Sequence, residues 1–324
     1  MTQHRAPYRA HTYEDLLNTL PMMFGFVPRE SVIGLCVRTD RNAFGFRLRH
    51  DLPAPGRERA LAAELAPHLL GNPHDGFMLF AVSADANRAR TMVLALQDEL
   101  PIERCRLAIW ADDERIWSDT PGHPAEGEPY EMSDHHEARV HAIAAGMVVL
   151  GDRSELYAEV AGPTGERLRW LEAAHDHVVD AFVARALRDD TDDLVAGERG
   201  RVAASVDRAL GGGALTDGEL VEMTVLVASL SVRDAEWVRI DRDNAMALHA
   251  LWASACRVAV PDFAPAVLSL AGFAAWQAGD GARAMVALEQ ALRFDPEYSM
   301  ARLLTEVVQA GVDPSLWHAP SLSA

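Results

Sequence analysis

The sequence predicts an α/β domain followed by an all-α domain, and three observations carry that reading. Short apolar runs alternate with amphipathic segments through the N-terminal half, the pattern of strands alternating with helices. A stretch rich in Pro, Gly and Glu, Thr120–Ser133, then interrupts the pattern. Beyond it every apolar repeat has helical spacing and none reads as a strand. The expected organisation is a loose tail over 1–11, a mixed-sheet domain over 12–119, a linker over 120–133 and a helical domain over 134–324.

The first domain is organised around Thr12–Asp51. Thr12 with Asp15 is a helix N-cap pair, and Leu16, Leu17 and Leu20 form an apolar stripe that Pro21 is expected to cut off. Gly25 and Pro28 punctuate a knuckle. Ser31–Val37 is apolar almost throughout, as a strand buried on both faces requires. After a turn at Thr39–Asn42, the segment Ala43–His50 alternates, with Phe44, Phe46 and Leu48 on one face and Arg47 and Arg49 on the other. These two strands read as the central hairpin of the sheet.

The remaining elements follow in order. Arg57–Leu70 is a helix that tolerates or kinks at Pro67, Phe77–Val82 a third strand, Ala86–Leu100 a second amphipathic helix and Arg106–Trp110 a fourth strand. Asp112-Asp113 turns the chain into a short fifth strand, Glu114–Trp117. Strand–helix–strand connections imply parallel pairing, so the sheet is mixed, with about five strands and covering helices. The helical half is expected at Asp134–Leu150, Ser154–Val160, Glu166–Arg188, Leu194–Leu210, Asp217–Leu230, Asn244–Val258, Pro265–Ala278, Gly281–Phe294 and Glu297–Ala310.

Composition excludes several classes of chemistry. The formal net charge of −18 disfavours nucleic acid and anionic membrane as partners. All 30 Lys-plus-Arg residues are arginine, so a P-loop lysine, a Schiff-base lysine and a kinase lysine are impossible. Cys36, Cys105 and Cys256 are odd in number and widely separated, which suits buried reduced thiols. The first dozen residues hold Arg5 and Arg9 but no apolar core of a secretory signal, and no segment has the ~20 apolar residues of a membrane span. A cytoplasmic location is expected, and no cofactor.

Candidate sites are few. Arg47, Arg49 and Asp51 share a face at a strand end beside a Pro-rich loop, where α/β sheets place ligand groups, and Ser31 lies at the neighbouring strand end. The two arginines and Asp51 form either an anion pocket, beside the knuckle Phe24–Ser31, or an ion pair pinning the loop. In His135-His136-Glu137-Ala138-Arg139-Val140-His141 the spacing is not that of a zincin helix. Glu137 and His141 nonetheless share a helical face, with His123 able to approach, and are the candidate metal ligands against a solvated helix start. His175 and His177, two apart on a helix, point in nearly opposite directions and read as a solvated face. No GxSxG or GxGxxG is present.

One unit resembles a tetratricopeptide repeat. In Pro265–Pro296 small and apolar residues fall at Leu268, Ala271, Gly272 and Ala275, then at Ala284, Leu288 and Ala291, with Gly279-Asp280 between them. A partner groove on it would use Leu268, Ala275, Trp276 and Tyr298.

Taken together, Leu16-Leu17, Pro21, Gly25-Phe26, Pro28, Ser31-Val32 and the Arg49-His50-Asp51-Leu52-Pro53 segment resemble domain-of-unknown-function family 4192 (DUF4192), widespread in Actinobacteria. Arg115–Trp117, Gly127, Arg153–Leu156, Trp276, Gly279 and Ala284 fall where that family has comparable features. Many members carry cysteines after the tryptophan-containing strand, whereas here Ser118–Pro124 has none. The resemblance implies a family and an origin, not a reaction. The resulting expectation is a non-catalytic interaction or scaffold protein with an unknown protein partner. The alternative is a small-molecule, anion-binding protein or enzyme with its pocket near Arg47, Arg49 and Asp51.

Overall fold

The structure, a computed structural model, describes residues 9–38, 43–72, 74–133, 135–144 and 149–317. Most of the expected tail and the Thr39–Asn42 turn lie outside the described residues. The chain forms two compact units, 1–153 and 154–324. Among the described residues no helix is long and apolar enough to cross a membrane.

The first unit holds a six-stranded mixed sheet in the order β2-β1-β3-β4-β5-β6. Its strands are β1 (Ser31–Arg38), β2 (Ala43–Asp51), β3 (Gly76–Val82), β4 (Cys105–Ala111), β5 (Arg115–Ser118) and β6 (Glu128–Pro129). β3 and β4 pair in parallel, and every other neighbouring pair is antiparallel. The β1–β2 hairpin is therefore at the edge of the sheet, not its centre. β1 is buried on both sides as expected, and β3 is as well. β2, with one neighbour, keeps the alternation of a half-covered edge.

Helices α2 (Glu58–Leu70) and α3 (Ala86–Asp98) cover one face, where Leu61, Leu65, Leu69, Met92, Val93 and Leu96 meet Val32, Cys36, Phe77, Leu79 and Ala108. The opposite face buries Ile33, Leu35, Phe80 and Ile109. Helix α1 (Tyr13–Phe24) starts with a capping box, Asp15 N donating to Thr12 Oγ1 at 3.0 Å and Thr12 N to Asp15 Oδ2 at 3.0 Å. Contrary to expectation it runs through Pro21. The proline removes one N–H donor, but it sits in the last turn, and Gly25 closes the helix in a left-handed conformation, φ 76°, donating to the Pro21 carbonyl at 2.9 Å.

The segment expected as a linker packs into the first unit. Glu128 pairs with Ile116, Tyr130 Oη donates to the Asp112 carbonyl at 2.6 Å, and Asn18 Nδ2 donates to the Glu131 carbonyl at 3.0 Å. Composition marked this stretch as loop, but its carbonyls and ring hydroxyl are anchored one by one. The described part of the following helix, α4 (Glu137–Ala144), packs on α1.

The second unit is helical: α5 (Arg153–Glu159), α6 (Gly165–Ala186), α7 (Thr191–Leu210), α8 (Asp217–Leu226), α9 (Leu230–Trp237), α10 (Ala245–Cys256), α11 (Ala264–Gln277), α12 (Gly281–Phe294) and α13 (Ser299–Gln309). At its centre is α11, buried at every position and packed most extensively on α10 and α12. The approach of α11 to α12 depends on Gly272, where a Cβ would lie 2.9 Å from Leu288 Cγ and 3.2 Å from the Ala284 carbonyl oxygen. Helix α9 was not foreseen, because the expected Asp217–Leu230 helix ends at Leu226 and a second one follows.

Candidate functional site

At the carboxyl ends of β2 and β3 the strand register sets Ser31 opposite Asp51 and Ile33 opposite Arg49. Arg49 is thus diagonal to Ser31. Its Nε donates to Ser31 Oγ at 2.9 Å and its Nη2 to the Arg29 carbonyl at 3.4 Å. Nη2 also pairs with Asp51 Oδ1 at 2.5 Å, while the guanidinium carbon lies 5.5 Å from the centre of the Phe26 ring. Ser31 Oγ in turn donates to the Arg29 carbonyl at 2.6 Å. Asp51 reaches a second arginine, with Arg153 Nη1 at 3.4 Å from Oδ2.

This brings Ser31, Arg49 and Asp51 together. Arg47 is on the same face but exposed. The arrangement is a clamp that ties the end of β2 to the start of β1. The Arg49 side chain is only 10% exposed.

Beside it lies a second cluster that sequence reasoning missed. Glu30 occupies the left-handed region, φ 42°, which non-glycine residues rarely adopt. Its carboxylate accepts from Ser83 Oγ at 2.9 Å, from Ala84 N at 2.9 Å and from Arg88 Nη1 at 2.5 Å. Arg88 Nη2 also donates to the Pro53 carbonyl at 2.9 Å. The signal available was the knuckle itself, since its turn needs an unusual backbone that something must hold.

Among the described residues the metal candidates form no cluster of three ligating groups. Glu137 and His141 lie on α4, while His123 is held elsewhere, its Nε2 at 3.1 Å from the Ile116 carbonyl and its ring edge-on to Tyr13 at 5.3 Å. His136 meets Asp15 at 3.2 Å, Nε2 to Oδ1. No group of three or more metal-ligating side chains converges among the described residues. The thiols are not poised for attack: burial pushes Cys36 up to about 12 and Cys105 to about 11, with Asp119 and Glu103 adding to the latter. Burial also pushes Cys256 up.

In the helical unit Leu268, Ala275 and Trp276 are core residues, not groove residues, because α11 is enclosed by its neighbours. Tyr298, just ahead of α13, does border a hollow of about 420 Å³ with Ala228, Pro261, Asp262, Pro265, Phe294 and Asp295. A smaller hollow of about 200 Å³ is bordered by Glu172, His175, Asp176, Val260, Pro261, Asp262 and Phe263. His175 is buried, correcting the solvated reading. Its Nδ1–H donates to the Leu171 carbonyl at 2.8 Å, Nε2 lies 2.8 Å from Thr224 Oγ1, and the ring stacks on Phe263 at 5.2 Å. Burial lowers its pKa, partly offset by the Leu171 bond and by Asp176.

A third cluster crosses this unit. Arg283 grips both oxygens of Glu159, Nε to Oε2 at 2.8 Å and Nη2 to Oε1 at 3.0 Å, and its Nη1 donates to Asp280 Oδ2 at 2.6 Å. His249 Nε2 lies 3.8 Å from Glu159 Oε2. Burial alone would raise Glu159, but His249 and Arg283 pull its carboxyl down to about 2. This carboxylate stays ionised and holds α5 to α12.

A family model described as a domain of unknown function, DUF4192, matches residues 14–315. No curated protein and no solved structure gives a significant match. The family match spans most of both units, so the chain belongs to DUF4192.

Proposed function

We propose that this member of DUF4192 is a non-catalytic, cytoplasmic protein-interaction or scaffold protein, and that its helical, TPR-like unit carries the contact surface. One contrast supports the reading. The strand-end arginine that sequence reasoning selected is engaged from within, whereas the hollow beside Tyr298 opens on aromatic and carboxylate side chains. Its walls combine Phe294, 45% exposed, with Pro261 and Pro265. Rings and prolines offer contact area at low entropic cost, which suits protein recognition.

The alternative remains an anion-binding protein or an enzyme of unknown reaction. The exposure of Arg47 on the Arg49–Asp51 face favours it, together with the position at strand carboxyl ends. A net charge of −18 sets nucleic acid well behind both.

Affinity purification of the intact chain from its native cells separates the two readings. The expected outcome is a protein that co-purifies with wild type and with Arg47→Gln, and is lost from Phe294→Glu. The reading fails if no partner depends on Phe294 while a small anion raises the melting temperature of wild type but not of Arg47→Gln.

A further inference from the structure

The two hollows of the helical unit lie on either side of one ridge. Pro261 and Asp262, in the short turn ahead of α11, border both. Along this divided cleft the charged side chains are Glu172 and Asp176 from α6, Asp262 from the ridge and Asp295 from the end of α12. Neither hollow is lined by an arginine. His175, buried and depressed in pKa, brings no positive charge at neutral pH.

The guanidinium that donates to the Tyr298 hydroxyl is already neutralised. Arg233 is buried, its Nη2 pairs with Asp234 Oδ1 at 2.6 Å, and its Nη1 donates to Tyr298 Oη at 2.9 Å. Asp262, by contrast, is exposed, and its carboxylate has no hydrogen bond or ion pair among the described residues. The cleft therefore has negative potential over carbon-rich walls: Phe263, Pro265, Phe294 and the Tyr298 ring.

That combination selects its occupant. A hydrated divalent ion gains nothing from aromatic walls, and no three ligating side chains converge here. A second copy of the chain would bring a charge of −18 against carboxylates. A guanidinium or ammonium group on an aliphatic stem matches both the rings and the carboxylates. Hollows of about 420 and 200 Å³, parted by a two-residue ridge, suit separate side chains of one segment better than a single rigid molecule.

We propose that this divided cleft seats a basic segment of a partner protein, which lays one arginine or lysine side chain into each hollow. The inference rests on the interaction reading above and names the partner's chemistry.

The test uses short fluorescein-labelled peptides on an Ala/Gly background. One set carries a pair of arginines at varied spacing, and a matched set carries glutamines in their place. Fluorescence anisotropy is read with the intact chain. At least one arginine peptide is expected to bind saturably, and its glutamine counterpart about tenfold more weakly or worse. Asp262→Asn combined with Asp295→Asn should weaken binding about tenfold. Asp189→Asn with Asp192→Asn, which removes the same charge from the connector after α6 and the first turn of α7, should leave it within about twofold. If the double variant melts early, Asp262→Asn alone, at an exposed site, gives the same reading.

Equal binding by glutamine peptides, equal loss in both double variants, or no saturable binding by any arginine peptide overturns the proposal. Self-association of the chain that Asp262→Asn abolishes also overturns it, in favour of a second copy. The two readings fail separately. A captured partner that needs Phe294 but is not displaced by arginine peptides leaves the interaction reading standing and removes the basic occupant.

Discussion

Arg49 donates to Ser31 across the first strand pair, Nε to Oγ at 2.9 Å, from a position diagonal to it in the ladder. The bond is part-buried and shares its guanidinium with Asp51.

Replacing Arg49 by Gln should therefore cost about 1–3 kcal/mol, since it breaks a charge-assisted bond, uncovers Phe26 and leaves Asp51 to Arg153 alone. Ser31→Ala should cost about 0.5–1.5 kcal/mol. Urea denaturation of both single variants and the double variant measures the coupling. Strict additivity would mean that the bond contributes nothing.

At the α11–α12 crossing, Gly272→Ala is expected to cost about 1–3 kcal/mol, because Leu288 is fully buried and has little room to retreat. Leu288→Ala leaves a cavity and should cost about 2–5 kcal/mol. The added methyl partly fills that cavity, so the double variant should be more stable than the sum of the single losses. Thermal melts of the variants decide this, and a double variant at or below the sum would contradict the close approach.

Glu159 gives the helical unit an acid-sensitive tie. Its folded pKa of about 2 is below the ordinary 4.5, so its contribution is present above pH 4.5 and fades as pH falls towards 2. Glu159→Gln should lose about 1–3 kcal/mol at pH 7, with the difference from wild type shrinking at pH 3. Guanidinium titrations at both pH values test it, and a constant difference would exclude the ionic tie.

His175 sets a second dependence, in a higher pH range. A buried neutral imidazole has its pKa lowered, so the unfolded chain takes up the proton first, and stability drops as pH falls below about 6.5. His175→Phe keeps a ring against Phe263 while removing the titration. Its melting temperature should fall less than that of wild type between pH 7 and pH 5, whatever its absolute value. Parallel slopes would rule the histidine out.

The strands were legible because β1 and β3 are nearly unbroken apolar runs and β2 alternates cleanly. What periodicity could not supply was strand order, since the pairing of β1 with β3 is a contact between segments far apart in sequence. Helix α9 escaped for a different reason. Among the residues it buries are Arg233 and Glu236, the first tied to Tyr298 and Asp234 and the second to Arg239, and a hydrophobic pattern reads both as surface.

At the strand end the shared face of Arg49 and Asp51 was legible from period-two spacing, whereas the bond from Arg49 to Ser31 depends on the β1–β2 register. Glu30 and Arg88 were not legible, because the contact joins a turn to a distant helix. In the helical unit the small-residue pattern located the α11–α12 hairpin but misjudged its exposure. The spacing of Leu268, Ala275 and Trp276 records close packing, and the residues that border open space, Pro261, Asp262 and Phe294, lie at the ends of helices.

Helix α11 shows no residue to solvent, and this bears on how the gene can change. Arrays built from repeated modules can be shortened as long as a capping module closes the end, because each module leans only on the next. Here a stop codon ahead of Gly281 would strip α12 from a segment that is apolar or small on every side. The product would be sticky and protease-prone instead of a shorter working protein, so nonsense changes that remove α12 should act as nulls.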